Sequence, residues 1–146
     1  MFKGILRSLF GSPQRQRSVF NDPVLGELKA EETGWTVSVT RGASTFSFTI
    51  GGKNEPDAAL LAHAHEILRD YDAFRKMVKD CIEAESREYP KNARAEVAAL
   101  EIDDISLCWP DRPDDGMIFF RGSDHDVGIW RCDYIARKPR GLGCDT

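Results

Sequence analysis

Two neighbouring segments of the chain, 35–40 and 45–50, show a strict alternation of apolar and hydroxyl-bearing residues. Tryptophan and valine alternate with threonine and serine in the first segment, and phenylalanine and isoleucine do so in the second. A period of two places successive side chains on opposite faces of a β-strand, and the intervening Arg41-Gly42-Ala43 is typical of a turn. The pattern predicts an antiparallel hairpin with one buried face and one solvated, hydroxyl-rich face.

The segment 56–89 has the period of a helix instead. Its apolar residues recur every three or four positions along one face, and glycine and proline are absent after Pro56. Pro56 and Asp57 suit a first helical turn, and Pro90 marks the end. The pattern predicts one long amphipathic helix. If that helix is broken, an aspartate within 70–72 is placed to cap a second segment.

Shorter segments before and after this helix show the same two periods. We expect a first strand at Val24–Ala30, a short helix at Ala93–Leu100, and further strands at Ile105–Trp109, Gly116–Arg121 and Val127–Ala136. Strands followed by helices and then by more strands favour the α+β class. The predicted fold is an antiparallel sheet of about five or six strands with one long helix packed on one face.

The predicted organisation is one domain between two basic ends. A chain of 146 residues is long enough for a single domain with a core of its own. We assign residues 22–137 to a single α+β domain, 1–21 to a basic amphipathic N-terminal segment with its linker, and 138–146 to a C-terminal tail.

The composition favours a soluble protein of a reducing compartment. Hydrophobic residues make up 41% and charged residues 30% of the chain, as in ordinary globular domains. The sequence contains no run of about 20 apolar residues that would span a bilayer. Met1–Phe10 lacks the apolar length and cleavage site of a secretory signal, and the four cysteines form no CxxC pair. We therefore expect a cytoplasmic protein with free thiols.

Charge is distributed unevenly along the chain. Residues 1–21 carry four basic and no acidic side chains, whereas residues 22–136 carry 13 basic and 23 acidic ones, a net charge of −10. Residues 137–146 are again basic, at +2. Such an acidic body repels nucleic acid and attracts basic partners. We expect a basic protein partner and no nucleic acid, and we make no prediction of oligomeric state.

The N-terminal segment has the apolar stripe of a short amphipathic helix, formed by Phe2, Ile5, Leu6, Leu9 and Phe10. Such a helix can dock on its own domain, enter a groove of a partner, or lie on an anionic membrane surface. A free helix of about ten residues is marginal in water. We expect docking or disorder ahead of partner binding, and membrane contact last.

Candidate site residues lie towards the C-terminal end of the chain. His125 is flanked by Asp124 and Asp126, which can raise the pKa of the imidazole or help to hold a divalent cation; a polar turn is the simpler interpretation. Arg131 and Asp133 share one face of the last predicted strand, as a surface ion pair or as the floor of a polar pocket. These five residues are our binding candidates. We predict no catalytic residue, no metal site and no cofactor.

Two other features carry less weight. His63 and His65 are two positions apart on the predicted helix and point in different directions, unlike the i, i+4 pair of a helical metal site. We expect both to be surface or boundary residues. Cys132 shares the apolar face of its strand with Trp130, and it would need His125 close in space to act as a nucleophile. Their separation of seven residues argues against this contact.

Val24–Leu28, the following Gly34-Trp35 and the closing Gly128–Tyr134 resemble small bacterial domains of unknown function, some of which belong to immunity-protein-like families of polymorphic toxin systems. The resemblance covers roughly residues 22–140. It implies a bacterial cytoplasmic α+β domain without established catalysis, and no catalytic residue is transferred by it.

Two functional hypotheses follow. The first is a non-enzymatic protein-binding domain, immunity-like or adaptor-like, whose acidic surface at 103–126 and on the long helix contacts a basic partner. The alternative is a small-ligand-binding or enzymatic domain that uses a polar pocket near Asp124–Asp126 and Arg131 and Asp133. The alternative requires a concave, partly apolar pocket on the sheet face that bears Arg131.

Overall fold

A computed structural model describes residues 18–122 and 129–145, and it shows a mixed α/β architecture with one eight-stranded sheet and three helices. The first half of the sheet consists of β1 (Val19–Asp22), β2 (Gly26–Glu31), β3 (Gly34–Arg41) and β4 (Ser44–Ile50). The helices α1 (Ala58–Arg69), α2 (Tyr71–Ser86) and α3 (Lys91–Ala98) follow. The second half consists of β5 (Glu101–Leu107), β6 (Gly116–Arg121), β7 (Ile129–Ile135) and β8 (Lys138–Asp145). The predicted helix at Phe2–Phe10 lies outside the described residues.

The strands lie side by side in the order in which they occur in the chain. Every neighbouring pair is antiparallel except β4 and β5, which are parallel, with Phe48 opposite Ile105. Parallel neighbours require a long crossover connection, and the three helices supply it. The fold is therefore two four-stranded meanders joined by a helical crossover at the centre of the sheet.

The predicted fold class is wrong in three respects. The sheet has eight strands instead of five or six, the described residues contain three helices where the predicted fold had one long helix on the sheet, and the sheet is mixed instead of antiparallel. Residues 138–145, which the sequence analysis placed in a C-terminal tail, form the edge strand β8. The predicted first strand is likewise preceded by another, β1. The hairpin of β3 and β4 is confirmed, with Val37 opposite Phe48.

The predicted long helix is interrupted at Asp70. This residue has φ −126° and ψ 53° and separates α1 from α2. Its side chain makes no capping hydrogen bond to α2, so the expected role of an aspartate cap is not observed here. Asp57 does cap α1, since its carboxylate accepts hydrogen bonds from the backbone N–H groups of Ala59 and Leu60.

The helices pack on one face of the sheet. Alternate residues of the strands point towards them and are buried, and ring contacts join the two layers. Phe46 of β4 stacks on Tyr71 of α2 at 4.4 Å between ring centroids, and Phe74 meets Tyr134 of β7 edge-on at 5.8 Å. The opposite face of the sheet is covered by no helix in the described part of the chain.

Polar contacts fix α1 over both halves of the sheet. His63 is buried, with Nδ1 2.7 Å from Pro113 O and Nε2 3.0 Å from the Tyr134 hydroxyl. Because Nδ1 faces a carbonyl, it carries the proton, and Nε2 accepts from Tyr134. Burial raises the pKa of Tyr134 to about 12, so the hydroxyl remains protonated at neutral pH. The expectation that His63 lies at the surface or boundary is therefore wrong.

Asp22 joins the first hairpin to the same helix. Its Oδ2 accepts hydrogen bonds from the backbone N–H of Val24 at 3.0 Å and of Leu25 at 2.8 Å, and it lies 2.8 Å from His65 Nε2. Burial alone would raise the pKa of Asp22, but the hydrogen bonds from Leu25, His65 and Val24 outweigh burial and lower it. The ionised carboxylate is thus favoured in the folded state.

We expect Asp22→Asn to lower the free energy of unfolding by about 1 to 2 kcal/mol near neutral pH, because the charged acceptor is lost. The pKa of Asp22 is lower in the folded than in the unfolded state, so its contribution is present above the unfolded value of about 3.9 and disappears as the pH falls through the folded value. Urea unfolding at about pH 6 and about pH 3 measures this change. An exposed control, Asp111→Asn, should show no such pH-dependent difference, and a difference for Asp22→Asn that stays constant with pH would contradict the account.

No helix within 18–122 or 129–145 combines the length and the apolar character needed to cross a membrane.

Candidate functional site

The uncovered face of the sheet changes in character from strand to strand. On β3 and β4 it consists of threonine and serine side chains, with Thr36 opposite Thr49 and Ser38 opposite Ser47. On β5 it presents Asp104 and Ser106, and β6 follows with phenylalanine and methionine. The face is therefore hydroxyl-rich on one side, acidic at the centre and apolar beyond it.

A cavity of about 820 Å³ opens on this face where the acidic and apolar parts meet. Side chains of β4, β5, β6 and β7 line it together with the β2–β3 turn. The described residues that line it are Thr33, Thr49, Asp103, Asp104, Ser106, Cys108, Met117, Phe119, Phe120, Arg121, Gly122 and Ile129. Its volume lies within the range of about 300 to 1,000 Å³ that is usual for ligand sites.

Asp104 lines the cavity, and three hydroxyl groups bond to its carboxylate. Ser47 Oγ donates to its Oδ1 at 2.5 Å, Thr49 Oγ1 donates to the same oxygen at 2.9 Å, and Ser106 Oγ donates to Oδ2 at 2.5 Å. The arrangement depends on the parallel pairing of β4 and β5, which places Ser47 opposite Asp104 and Thr49 opposite Ser106. The carboxylate is thereby fixed in orientation by neutral donors.

Asp103 and Arg121 form the rim of the cavity beside this group. The register of β5 with β6 shifts between Ile102 and Asp104, so Asp103 lies at a β-bulge and is exposed. Arg121 Nη1 donates to Asp103 Oδ1 at 2.7 Å, and Arg121 Nη2 donates to Thr45 O at 3.3 Å. The bulge therefore presents two consecutive acidic side chains, and only Asp103 is paired with Arg121.

The apolar part of the cavity is accessible to a partner. Phe119 lies opposite Asp104 and Met117 lies opposite Ser106 in the register of β5 with β6, and both are half-buried. Ile129 is 57% exposed. Exposed apolar groups rimmed by polar ones are typical of interaction sites.

Comparison with protein-family models, with curated proteins and with solved structures finds no match to this chain. Any functional assignment therefore depends on the site itself.

The thiols near this region are poor nucleophiles. Burial, together with the negative charge of Asp104, raises the pKa of Cys108, which lines the cavity. Burial raises the pKa of Cys132 to about 12, and this residue is on the helix-covered face. Nucleophilic cysteines require a lowered pKa. The arrangement suits binding better than covalent catalysis.

The structure places the predicted site residues as follows. Asp124, His125 and Asp126 lie outside the described residues. Arg131 is opposite Phe119 and Asp133 is opposite Met117, so both are on the uncovered face, next to the described lining of the cavity but not part of it. They face each other as a surface pair, with Arg131 Nη1 3.6 Å from Asp133 Oδ1.

Arg131 has a shorter contact on β8. Its Nε donates to Asp145 Oδ2 at 2.6 Å, and this hydrogen bond raises the pKa of the guanidinium. The guanidinium is therefore engaged at the β7–β8 edge of the sheet. Among the described residues, no three histidine, cysteine, aspartate or glutamate side chains are grouped in a way that would hold a metal ion.

Sequence reasoning missed Asp104 and the three hydroxyl groups that surround it. The alternation of Thr45, Ser47 and Thr49 indicated a hydroxyl-rich face, and the doublet Asp103-Asp104 lies within the acidic surface predicted at 103–126, but neither residue was among the five candidates. The sequence alone does not show the parallel pairing of β4 with β5, because this pairing joins residues more than 50 positions apart in the chain.

Proposed function

We propose that this protein is a non-enzymatic protein-binding domain that receives a basic partner on the uncovered face of its sheet. The observation that carries the proposal is the cavity on this face, in which Asp104 lies opposite Phe119 and the exposed Ile129 lines the same cavity. Protein interfaces commonly combine such apolar groups with a few oriented polar ones.

The charge of the chain supports a basic partner. Residues 22–136 carry a net charge of −10, and the doublet Asp103-Asp104 brings part of that charge to the cavity. Complementary charge speeds association and suppresses wrong partners. Together with the resemblance to immunity-protein-like domains, this charge supports an immunity-like or adaptor-like role in the bacterial cytoplasm.

A second candidate function is the binding of a small molecule in the same cavity. Its volume of about 820 Å³ favours this candidate, because sites for drug-sized ligands have similar volumes. The cavity is concave and partly apolar, and it lies on the face that bears Arg131. A thermal-shift screen with metabolites would give a saturable stabilisation if this candidate holds.

The proposed function is tested by placing a positive charge either on the uncovered face of the sheet or, as a control, on helix α2. We expect wild-type protein to capture a stoichiometric basic partner from native lysate at low salt, and Phe119→Lys to abolish that capture. The added cation would repel a basic partner at the cavity. The control is Glu83→Lys, on the exposed side of α2. Glu83→Lys raises the net charge more than Phe119→Lys does, but it leaves the sheet face unchanged.

Retention of the partner by Glu83→Lys and its loss from Phe119→Lys would support the proposal. Equal capture by both variants, or capture that high salt leaves unchanged, would contradict it, because an interface dominated by charge is screened by salt.

A further inference from the structure

We infer that the cavity on the uncovered face recognises an arginine side chain of the protein partner, with Asp104 as its counterion. The inference rests on the proposed function, since it names the group of the basic partner that enters the cavity. Two observations carry it, the neutral donors around Asp104 and the apolar wall beside this residue.

The hydroxyl groups orient the carboxylate of Asp104 without neutralising it. Oδ1 accepts from Ser47 and Thr49, whereas Oδ2 accepts, within the described part of the chain, from Ser106 alone. A carboxylate offers about four acceptor positions, so one position on Oδ2 is open to a further donor. Thr49 and Ser106 are buried, which keeps these donors in place before a partner arrives.

Two arginines of this face, Arg121 and Arg131, bond to other carboxylates. Arg121 donates to Asp103 at 2.7 Å, and Arg131 donates to Asp145 at 2.6 Å. Within the ranges 18–122 and 129–145, the hydrogen bonds to the Asp104 carboxylate all come from uncharged side chains. The charge of this half-buried group is therefore available to a cation of a partner, and hydrogen bonds between charged groups are about twice as strong as those between neutral ones.

The apolar wall suits the rest of an arginine side chain. Phe119 is directly opposite Asp104 on β6, and side chains at opposed positions of antiparallel strands have Cβ atoms about 5 Å apart. A guanidinium that bonds Asp104 therefore lies within reach of the phenylalanine ring. Met117 and Ile129 can cover the aliphatic stem.

These contacts favour arginine over lysine. The guanidinium is planar and stacks on aromatic rings while it donates hydrogen bonds in its own plane. A carboxylate and an aromatic ring on adjacent strands match those two properties. Lysine would retain the ion pair but would lose the stacking.

The test uses a blocked peptide, acetyl-Gly-Gly-Arg-Gly-Gly-amide, and its analogue with citrulline in place of arginine. Citrulline keeps the shape and removes the charge. Calorimetric titration of the full chain at low ionic strength should show that the arginine peptide binds about tenfold or more tightly than the citrulline peptide. Equal binding of the two peptides, or no binding of either, would overturn the inference.

A variant pair locates the contact. Asp104→Asn is nearly isosteric, and its amide can retain hydrogen bonds with the surrounding hydroxyls, so it removes the charge alone. We expect Asp104→Asn to lower the affinity for the arginine peptide about tenfold and to leave the affinity for the citrulline peptide unchanged. Glu83→Gln removes the same charge on α2 and should change affinity by less than about twofold, as expected for a distant exposed charge. Equal effects of both variants would overturn the assignment to Asp104.

Failure here is distinguishable from failure of the proposed function. If partner capture still depends on Phe119 but the arginine peptide binds no better than citrulline, the protein interface stands and the arginine site is wrong. If the arginine peptide binds through Asp104 and capture is insensitive to Phe119→Lys, the site stands and the proposed function is wrong. Self-association that Asp104→Asn abolishes would identify a second copy of this chain as the occupant and would overturn the inference of a separate partner.

Discussion

Phe48→Ala is expected to lower the free energy of unfolding by about 4 kcal/mol, the largest single effect that we predict. Phe48 is completely buried on the helix-covered face of β4, opposite Val37 of β3 and Ile105 of β5. It also meets Phe46 edge-on at 5.7 Å between ring centroids. Its truncation removes packing from the strand at which the two meanders join.

Chemical denaturation followed by tryptophan fluorescence measures this change. The control is Ser38→Ala on β3, because Ser38 is exposed on the uncovered face and its loss should change stability by less than about 0.5 kcal/mol. If Phe48→Ala prevents folding, the milder Phe48→Leu provides the measurement. A small loss for Phe48→Ala together with a large one for Ser38→Ala would mean that the two faces are assigned the wrong way round.

Gly116→Ala is the second large effect, with an expected loss of about 3 kcal/mol. Gly116 begins β6, is buried, and lies against β5, where a Cβ atom would overlap the carbonyl oxygen of Ser106 and press on the Leu107 side chain. The overlapping atom belongs to the backbone, so relief requires movement of the strand itself. Because Ser106 is one of the donors to Asp104, the same substitution should also disturb the cavity.

A second glycine provides the matched control. Gly143 of β8 has no atom within 4 Å of the position that a Cβ would occupy. Gly143→Ala is therefore expected to leave stability unchanged or to raise it by up to about 1 kcal/mol through the lower entropy of the unfolded chain. Thermal unfolding compares the stabilities of Gly116→Ala and Gly143→Ala. Equal stabilities for the two would contradict the close approach of β5 and β6.

Local sequence patterns predicted the elements whose own residues show a clear strand or helix period. The hairpin of β3 and β4 follows from alternation, and β6 occupies the predicted range Gly116–Arg121. The helical period was also correct over most of 56–89, although it did not show whether the chain would break at Asp70. A break there lies within one continuous apolar arc, so periodicity alone does not detect it.

The edge strands gave no comparable signal. β1 has four residues, and its buried side chain is a polar one, Asp22. β8 contains Pro139, Gly141 and Gly143, which normally argue against a strand, and it buries Leu142. An edge strand pairs on one side only, so it tolerates proline and glycine that a central strand would not. Their place in the sheet comes from pairing with β2 and β7.

The candidate site was the least predictable feature, for a related reason. Its oriented carboxylate, Asp104, is bonded to hydroxyls from β4 that are more than 50 positions away in the chain. Nothing local distinguishes it from its neighbour Asp103, which makes an exposed ion pair instead. Sequence reasoning favoured the region around His125 because several polar groups are adjacent there, whereas the cavity is assembled by the parallel pairing of β4 and β5.

The central claim, that a basic partner binds to the uncovered face, is tested most directly by NMR of the methionine methyl groups. The chain has three methionines, of which Met117 lines the cavity and Met77 belongs to α2 on the other side of the sheet. Titration with the basic partner captured from lysate should shift the Met117 methyl signal in a saturable manner and leave the Met77 signal in place. A saturable shift of Met77 with none at Met117 would contradict the account.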